Sequence, residues 1–151
     1  MSLREWFWPN PRSRAIDVLA SLATHYRVLA ASLKQHAAMC QYPTLRAGLE
    51  GLAATEEAQA ETLKRFLADE GRDAAAPQAI VQLDGANNWQ RLKADLALQS
   101  QMLSDLNQAI VMLEGRDHHA AARLRNLATD EERNLGDLRD LVLKCDTLAL
   151  D

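Results

Sequence analysis

The sequence has 151 residues, 48% of them hydrophobic, so it is long enough for one domain with a sizeable core and too short for two ordinary domains. Its net charge is −4, and its 17 basic residues form no stripe of the kind that favours nucleic-acid binding. No run approaches the roughly 18 apolar residues of a membrane span, and the first residues lack a secretory-signal pattern. The sequence therefore predicts a cytoplasmic protein without a nucleic-acid partner and without a membrane span.

Residues 1–11 predict an extended aromatic arm, because Trp6, Phe7 and Trp8 precede two prolines, Pro9 and Pro11, that delay the first helix. Exposing three large aromatic side chains is unfavourable, so we expect the arm to pack on its own bundle or on a neighbouring subunit. A membrane-surface anchor is the alternative, but it would have more Lys and Arg around the aromatics. Residues 12–146 are expected to form the folded part of a single domain.

The first helix is predicted from about residue 12 to 40, capped by Asn10 or Ser13. Its buried stripe follows a helical spacing: Ile16, Leu19, Ala23, Tyr26, Ala30, Leu33, Ala37 and Cys40. A second stripe of Val18, Leu22 and Leu29 widens the apolar surface, which predicts contact with more than one helix and with a partner subunit. We therefore expect a homo-oligomer, with a dimer favoured, formed through this flank or through the aromatic arm. His25 and His36 lie on the same flank.

The second helix is predicted from a cap at Thr44 to Gly71, and two polar residues occupy its buried positions. Leu45, Leu49, Leu52, Glu56, Gln59, Leu63 and Phe66 alternate in steps of four and three. Burying an unpaired carboxylate costs several kcal/mol, so Glu56 requires a structural or chemical explanation.

A crossover over about residues 71–87 follows, with Ile80, Val81 and Leu83 as its expected contacts with the bundle. Seventeen residues can span about 55 Å, which exceeds the roughly 40 Å length of the second helix. The crossover can therefore return the chain to the end where the second helix began.

The third helix is predicted from Asn87 or Asn88 to Glu114, and the fourth from a cap at Asp117 to Cys145 or Asp146. The expected buried stripe of the third helix is Leu96, Gln99, Leu103, Leu106, Ile110 and Leu113. That of the fourth repeats the pattern of the second: Leu124, Leu127, Glu131, Asn134, Leu138 and Leu141. The fold class is thus all-α, with two antiparallel helix hairpins joined by a long crossover. Cys40 and Cys145 show no metal or redox spacing and are expected to be small reduced core residues, with a disulfide as the lesser alternative.

The segments around Glu56 and Glu131 resemble the Glu-x-x-His helices of rubrerythrin-type, ferritin-like di-iron proteins. In that family six ligands hold two irons, and the resemblance places Glu56 and Glu131 at the two carboxylates of these helices. Gln59 and Asn134 stand at the histidine positions, while Leu19 and Gln99 stand where the other two helices supply a Glu. Because these residues withhold two imidazoles and two carboxylates, we expect no iron pair and no redox catalysis.

The sequence instead predicts a polar core layer formed by Glu56, Gln59, Gln99, Glu131 and Asn134. Two close carboxylates in a dry layer cannot both ionise at low cost, so at least one is expected to be protonated, with the amides donating to the other. The leading hypothesis is a non-catalytic, oligomeric interaction or binding module without a cofactor. The alternative is a divergent metal-dependent oxidoreductase or stress-response protein that holds a single divalent metal or iron on Glu56, Glu131 and Gln99. A third hypothesis is a cavity for a small polar ligand between the second and fourth helices.

Overall fold

The computed structural model describes residues 10–76 and 84–147, with side chains up to residue 145. Four helices follow in chain order: α1 (Pro11–Met39), α2 (Pro43–Asp69), α3 (Asn88–Glu114) and α4 (His118–Thr147). Every regular element within these two ranges is a helix, as the sequence predicts. None of the four helices is both long enough and apolar enough to cross a bilayer. The aromatic arm at Trp6, Phe7 and Trp8 lies outside the described residues.

Side-chain caps begin three of the helices. Asn10 accepts a hydrogen bond from the backbone N–H of Arg12 at 3.0 Å, Asn87 from Gln90 at 2.9 Å, and Asp117 from Ala120 at 3.0 Å.

The predicted cap at Thr44 is wrong, because α2 already begins at Pro43, and the preceding Tyr42 makes no capping bond with its side chain. Proline is suited to the first helical position, since its missing N–H would have no partner there in any case. At the other end of α2 the chain turns through Gly71, whose φ of +70° lies in the left-handed region that favours glycine.

The helices form a four-membered bundle in which each helix packs against two others. The packed pairs are α1–α2, α1–α3, α3–α4 and α2–α4, and the contact between α2 and α4 is the sparsest. The α2–α4 pair is antiparallel, because Gly48 faces Leu141 at one end while Asp69 pairs with Arg123 at the other. The fold is the ferritin-like arrangement of two antiparallel hairpins joined by a long crossover.

The two ends of the crossover lie at opposite ends of the bundle. It leaves α2 beside the start of α1, where the Ala75 N–H donates to the Ala20 carbonyl at 3.0 Å. It reaches α3 beside the end of α1, where Asn88 Nδ2 lies 3.8 Å from Cys40 Sγ. The predicted contacts at Ile80, Val81 and Leu83 lie outside the described residues.

All eight residues of the stripe predicted for α1 are buried, with Tyr26 and Leu33 completely inaccessible. The expected flank of α1 is also used inside the bundle, since Leu22 and Leu29 are buried and only Val18 is partly exposed. Because the chain itself covers Leu22 and Leu29, this flank does not form the surface for a partner subunit that the sequence suggested. Cys40 and Cys145 are both buried in the core.

The close approach of Leu141 on α4 to Gly48 on α2 generates a stability prediction. A Cβ atom added at Gly48 would lie 2.9 Å from Leu141 Cδ2, whereas one added at Gly51, a turn away, would meet nothing within 4 Å. We expect Gly48→Leu to lower the free energy of unfolding by about 1–3 kcal/mol through overpacking. Gly51→Leu is the matched control and should be neutral or stabilising by up to about 1 kcal/mol, because glycine is a poor helix former. Urea unfolding followed by circular dichroism measures both, and equal effects would contradict the close approach.

Candidate functional site

The polar side chains predicted on the buried stripes meet in one layer at the middle of the bundle. Glu56 on α2 and Glu131 on α4 are both completely inaccessible to solvent. Gln99 Nε2 from α3 donates to Glu56 Oε1 at 2.8 Å, and Asn134 Nδ2 from α4 donates to the same oxygen at 3.0 Å. The Tyr26 hydroxyl from α1 belongs to the same layer, because the charges of both glutamates act on it. Each of the four helices thus contributes a polar group.

Several polar atoms in this layer have no hydrogen-bond partner among the described residues. They are the Tyr26 hydroxyl, Glu56 Oε2, Gln99 Oε1 and both carboxylate oxygens of Glu131. Most of these atoms are hydrogen-bond acceptors, whereas buried polar groups in proteins are nearly always paired. The layer therefore needs hydrogen-bond donors or a positive charge, which added protons, water or a cation can supply.

The pKa of Glu56 is raised to about 9, first by burial and then by the negative charge of Glu131, while hydrogen bonds from Asn134 and Gln99 act in the opposite direction. Burial also raises the pKa of Glu131 to about 7, against the lowering effect of Gln99, Tyr26 and Glu56. The pKa of Tyr26 is raised as well, first by burial and then by the two carboxylates. At neutral pH Glu56 is therefore protonated and Tyr26 is a neutral hydroxyl.

Protonation gives the two carboxyl oxygens of Glu56 different hydrogen-bonding roles. Oε1 accepts both amide hydrogen bonds, as a carbonyl oxygen does, and Oε2 is left to carry the proton. The sequence analysis expected the amides to donate to one of the two carboxyls, and Gln99 and Asn134 both donate to Glu56.

Gln59 differs from the other predicted members of the layer. It is buried, with 5% of its surface exposed, but neither its amide nitrogen nor its amide oxygen has a hydrogen-bond partner among the residues that the structure describes. The expectation that it donates to a carboxylate is therefore wrong. Gln59 instead lines a groove between α2 and α4, together with Asn134.

The donor set of the layer differs from that of an iron pair. Leu19, which stands at a family ligand position, is buried and offers no donor atom. Across residues 10–76 and 84–147, no three His, Cys, Asp or Glu side chains come together in a way that could hold a metal ion. The layer offers two carboxyl groups, amide groups and a phenol, all of them oxygen ligands, without the imidazole nitrogen that the family uses.

A second buried polar cluster, which the sequence analysis missed, links α1 to α3. Asp95 is completely buried; its Oδ1 accepts a hydrogen bond from Ser32 Oγ at 2.6 Å, and its Oδ2 lies 2.5 Å from His36 Nδ1. Ser32 and His36 are one helical turn apart, so both can face Asp95. Asp95 precedes Gln99 by four residues, so the two lie on the same face of α3. This spacing is the sequence signal that could have predicted the buried position of Asp95. His25, the other histidine of the flank, is half-buried.

The chain is thus a ferritin-like four-helix bundle with a buried carboxylate layer. No family model matches the sequence, and no curated protein matches it. Among solved structures, the fold is similar to that of a mutant of Dps1 from Mycobacterium smegmatis, with a TM-score of 0.73 over 90% of this chain and 99% of that one. The sequence identity is 17%, so the similarity shows the ferritin-like fold alone.

The carboxylate layer predicts that stability falls as the pH rises. Because the pKa values of Glu56 and Glu131 are higher in the folded chain than in the unfolded chain, the folded state binds more protons between about pH 4.5 and 9. The free energy of unfolding should therefore decrease across this window, more steeply below about pH 7, where both groups contribute. Urea titrations at pH 5, 7 and 9 measure the decrease. It should be much smaller in the Glu56→Gln/Glu131→Gln double variant and unchanged in the exposed control Glu132→Gln; an unaltered slope in the double variant would contradict the assignment.

The second cluster predicts a large loss of stability from a single truncation. Asp95→Ala leaves His36 and Ser32 without their buried acceptor, and breaking a buried pair in this way costs about 3–5 kcal/mol. Asp105→Ala on the same helix is the control, because Asp105 bonds only to the exposed Gln101 side chain in the described structure, and it should cost less than about 1 kcal/mol. Thermal and urea unfolding of both variants test this, and similar losses would show that the cluster contributes little.

Proposed function

We propose that this protein is a divergent, rubrerythrin-type member of the ferritin-like superfamily that has lost its di-iron centre and acts as a non-catalytic, oligomeric interaction or binding module. The observation that carries the proposal is that two amide N–H groups, from Gln99 and Asn134, converge on Glu56 Oε1 at 2.8 and 3.0 Å. Amide donors occupy the lone pairs that a carboxylate would offer to a metal. The layer is thus arranged around hydrogen bonds.

Protons supply most of the donors that the layer needs. A proton on Glu56 Oε2 and the hydroxyl hydrogen of Tyr26 are two donors, and the two partnerless oxygens of Glu131 are two acceptors. Small side-chain movements would bring these groups into hydrogen bonds and leave one negative charge in the layer. Two irons would instead need both carboxylates ionised and additional nitrogen or carboxylate ligands, which Gln59, Asn134 and Leu19 do not provide.

A single hard cation is the second candidate, favoured by the partnerless oxygens of Glu131, Glu56 and Gln99. Oxygen ligands of this kind suit a divalent metal such as Mg²⁺ or Ca²⁺ more than a redox metal. In this alternative Glu56, Glu131 and Gln99 would hold the ion, and binding would have to displace the proton of Glu56.

Elemental analysis of the untagged protein, purified without chelator, separates the two candidates. We expect well below one metal ion per chain, unchanged in Glu56→Ala and in the exposed control Glu132→Ala. About one ion per chain that is lost only in Glu56→Ala would establish the single-cation alternative. About two irons per chain with an oxygen-dependent change in absorbance would overturn both. Sedimentation velocity on the same sample tests the oligomeric part, for which we expect a dimer; a monomer would contradict it.

A further inference from the structure

A groove of about 500 Å³ opens between α2 and α4, the least tightly packed pair of neighbouring helices. Its volume lies in the range of small-molecule sites in proteins. Its walls are mainly apolar and come from both helices: Ala58, Leu63, Phe66, Leu124 and Leu127.

The groove also contains a polar group that lacks a partner. Gln59 lines it, and both polar atoms of its amide are buried without a hydrogen bond in the described structure. Leaving a buried polar group without a hydrogen bond is unfavourable, so a partner for this amide would stabilise the fold. An amide presents a donor and an acceptor side by side, and its complement is a group that accepts and donates in the same way.

Charges around the groove favour a neutral ligand. Arg123 lies over the Phe66 ring at 5.0 Å and its Nη1 lies 3.2 Å from Asp69, while Arg133 Nη1 lies 3.7 Å from Asp130. Both groove arginines therefore already have an acidic partner. Glu56 lies one helical turn from Gln59, and the negative charge of the carboxylate layer would disfavour an anion at the inner end of the groove.

Water alone is a poor occupant for the apolar part of this space. One water takes about 30 Å³ and needs two to four polar partners, which the polar residues of the groove offer but Leu63, Phe66 and Leu124 do not. Replacing weakly held water by an apolar group is favourable, so the groove suits a molecule with an apolar body.

We propose that the groove binds a small, mostly apolar molecule whose neutral head both donates and accepts a hydrogen bond, as a carboxamide or lactam does, and that Gln59 recognises this head. The inference rests on the proposed role as a binding module and names its ligand class. It depends on the side chain of Gln59 in the groove. It does not depend on whether protons, water or a cation satisfy the carboxylate layer.

Benzamide and toluene are suitable probes, because they share an aromatic body and differ in the carboxamide. Titrations of the full-length protein followed by ¹H–¹⁵N NMR should show benzamide shifting backbone amides of residues 58–66 and 123–134. Gln59→Leu should weaken benzamide binding about tenfold, the effect of losing about 1.4 kcal/mol of hydrogen bonding, and should leave toluene binding unchanged. The matched control is Gln108→Leu, which makes the same change at an exposed glutamine in a different groove, between α3 and α4, and should have no effect.

Thr62→Trp supplies a second variant that keeps Gln59 but fills the groove from an exposed position, and it should abolish binding of both probes. The proposal is overturned if benzamide at tens of millimolar shifts no groove amide, if it binds Gln59→Leu as well as the wild type, or if Thr62→Trp leaves binding intact. Metal analysis of the same sample keeps the two proposals apart. Metal-loaded protein that binds benzamide through Gln59 would end the metal-free proposal alone, whereas metal-free protein that does not bind would end this one alone.

Discussion

The structure depends on one electrostatic constraint, which is that Glu56 and Glu131 are buried in the same layer and cannot both carry a charge at low cost. A proton on Glu56 resolves the constraint and determines the direction of the surrounding hydrogen bonds. Gln99 and Asn134 can then donate to Glu56 Oε1, and the oxygens of Glu131 remain available as acceptors. Because Gln99 reaches Glu56 across the core, the layer connects α2 with α3, which share no backbone packing.

The second buried cluster acts on a directly packed pair of helices, α1 and α3. Asp95 fixes α3 against Ser32 and His36 of α1, so a shift of either helix by one turn would leave a carboxylate buried without its partners. An apolar stripe of alanines and leucines tolerates such shifts much better, because its contacts are not directional. The two polar clusters therefore give the bundle a single helix register, and they do so at positions where hydrophobic residues would give no such specificity.

Periodicity was sufficient to predict four helices, the long crossover and the buried stripe of α1, because each depends on local spacing that tertiary contacts did not override. The buried stripe of α3 was predicted less accurately than that of α1. Leu92, Leu96, Leu98 and Leu103 surround this helix with apolar side chains, so the spacing did not distinguish the buried position of Asp95 from the half-buried position of Leu96. The members of the polar layer were predictable from their heptad positions, whereas the direction of the Gln59 amide and the proton on Glu56 depend on three-dimensional neighbours.

The α2–α4 contact explains how a polar layer can coexist with an accessible groove. At one end Gly48 has no side chain, and Leu141 lies close to its backbone beside a second groove that both residues line. Toward Phe66 the two helices line the groove of about 500 Å³, which extends to Gln59 and Asn134. A molecule entering there would add contacts to the sparsest helix pair instead of disrupting a packed one. Its binding would then couple to the carboxylate layer through Asn134, which lines the groove and donates to Glu56.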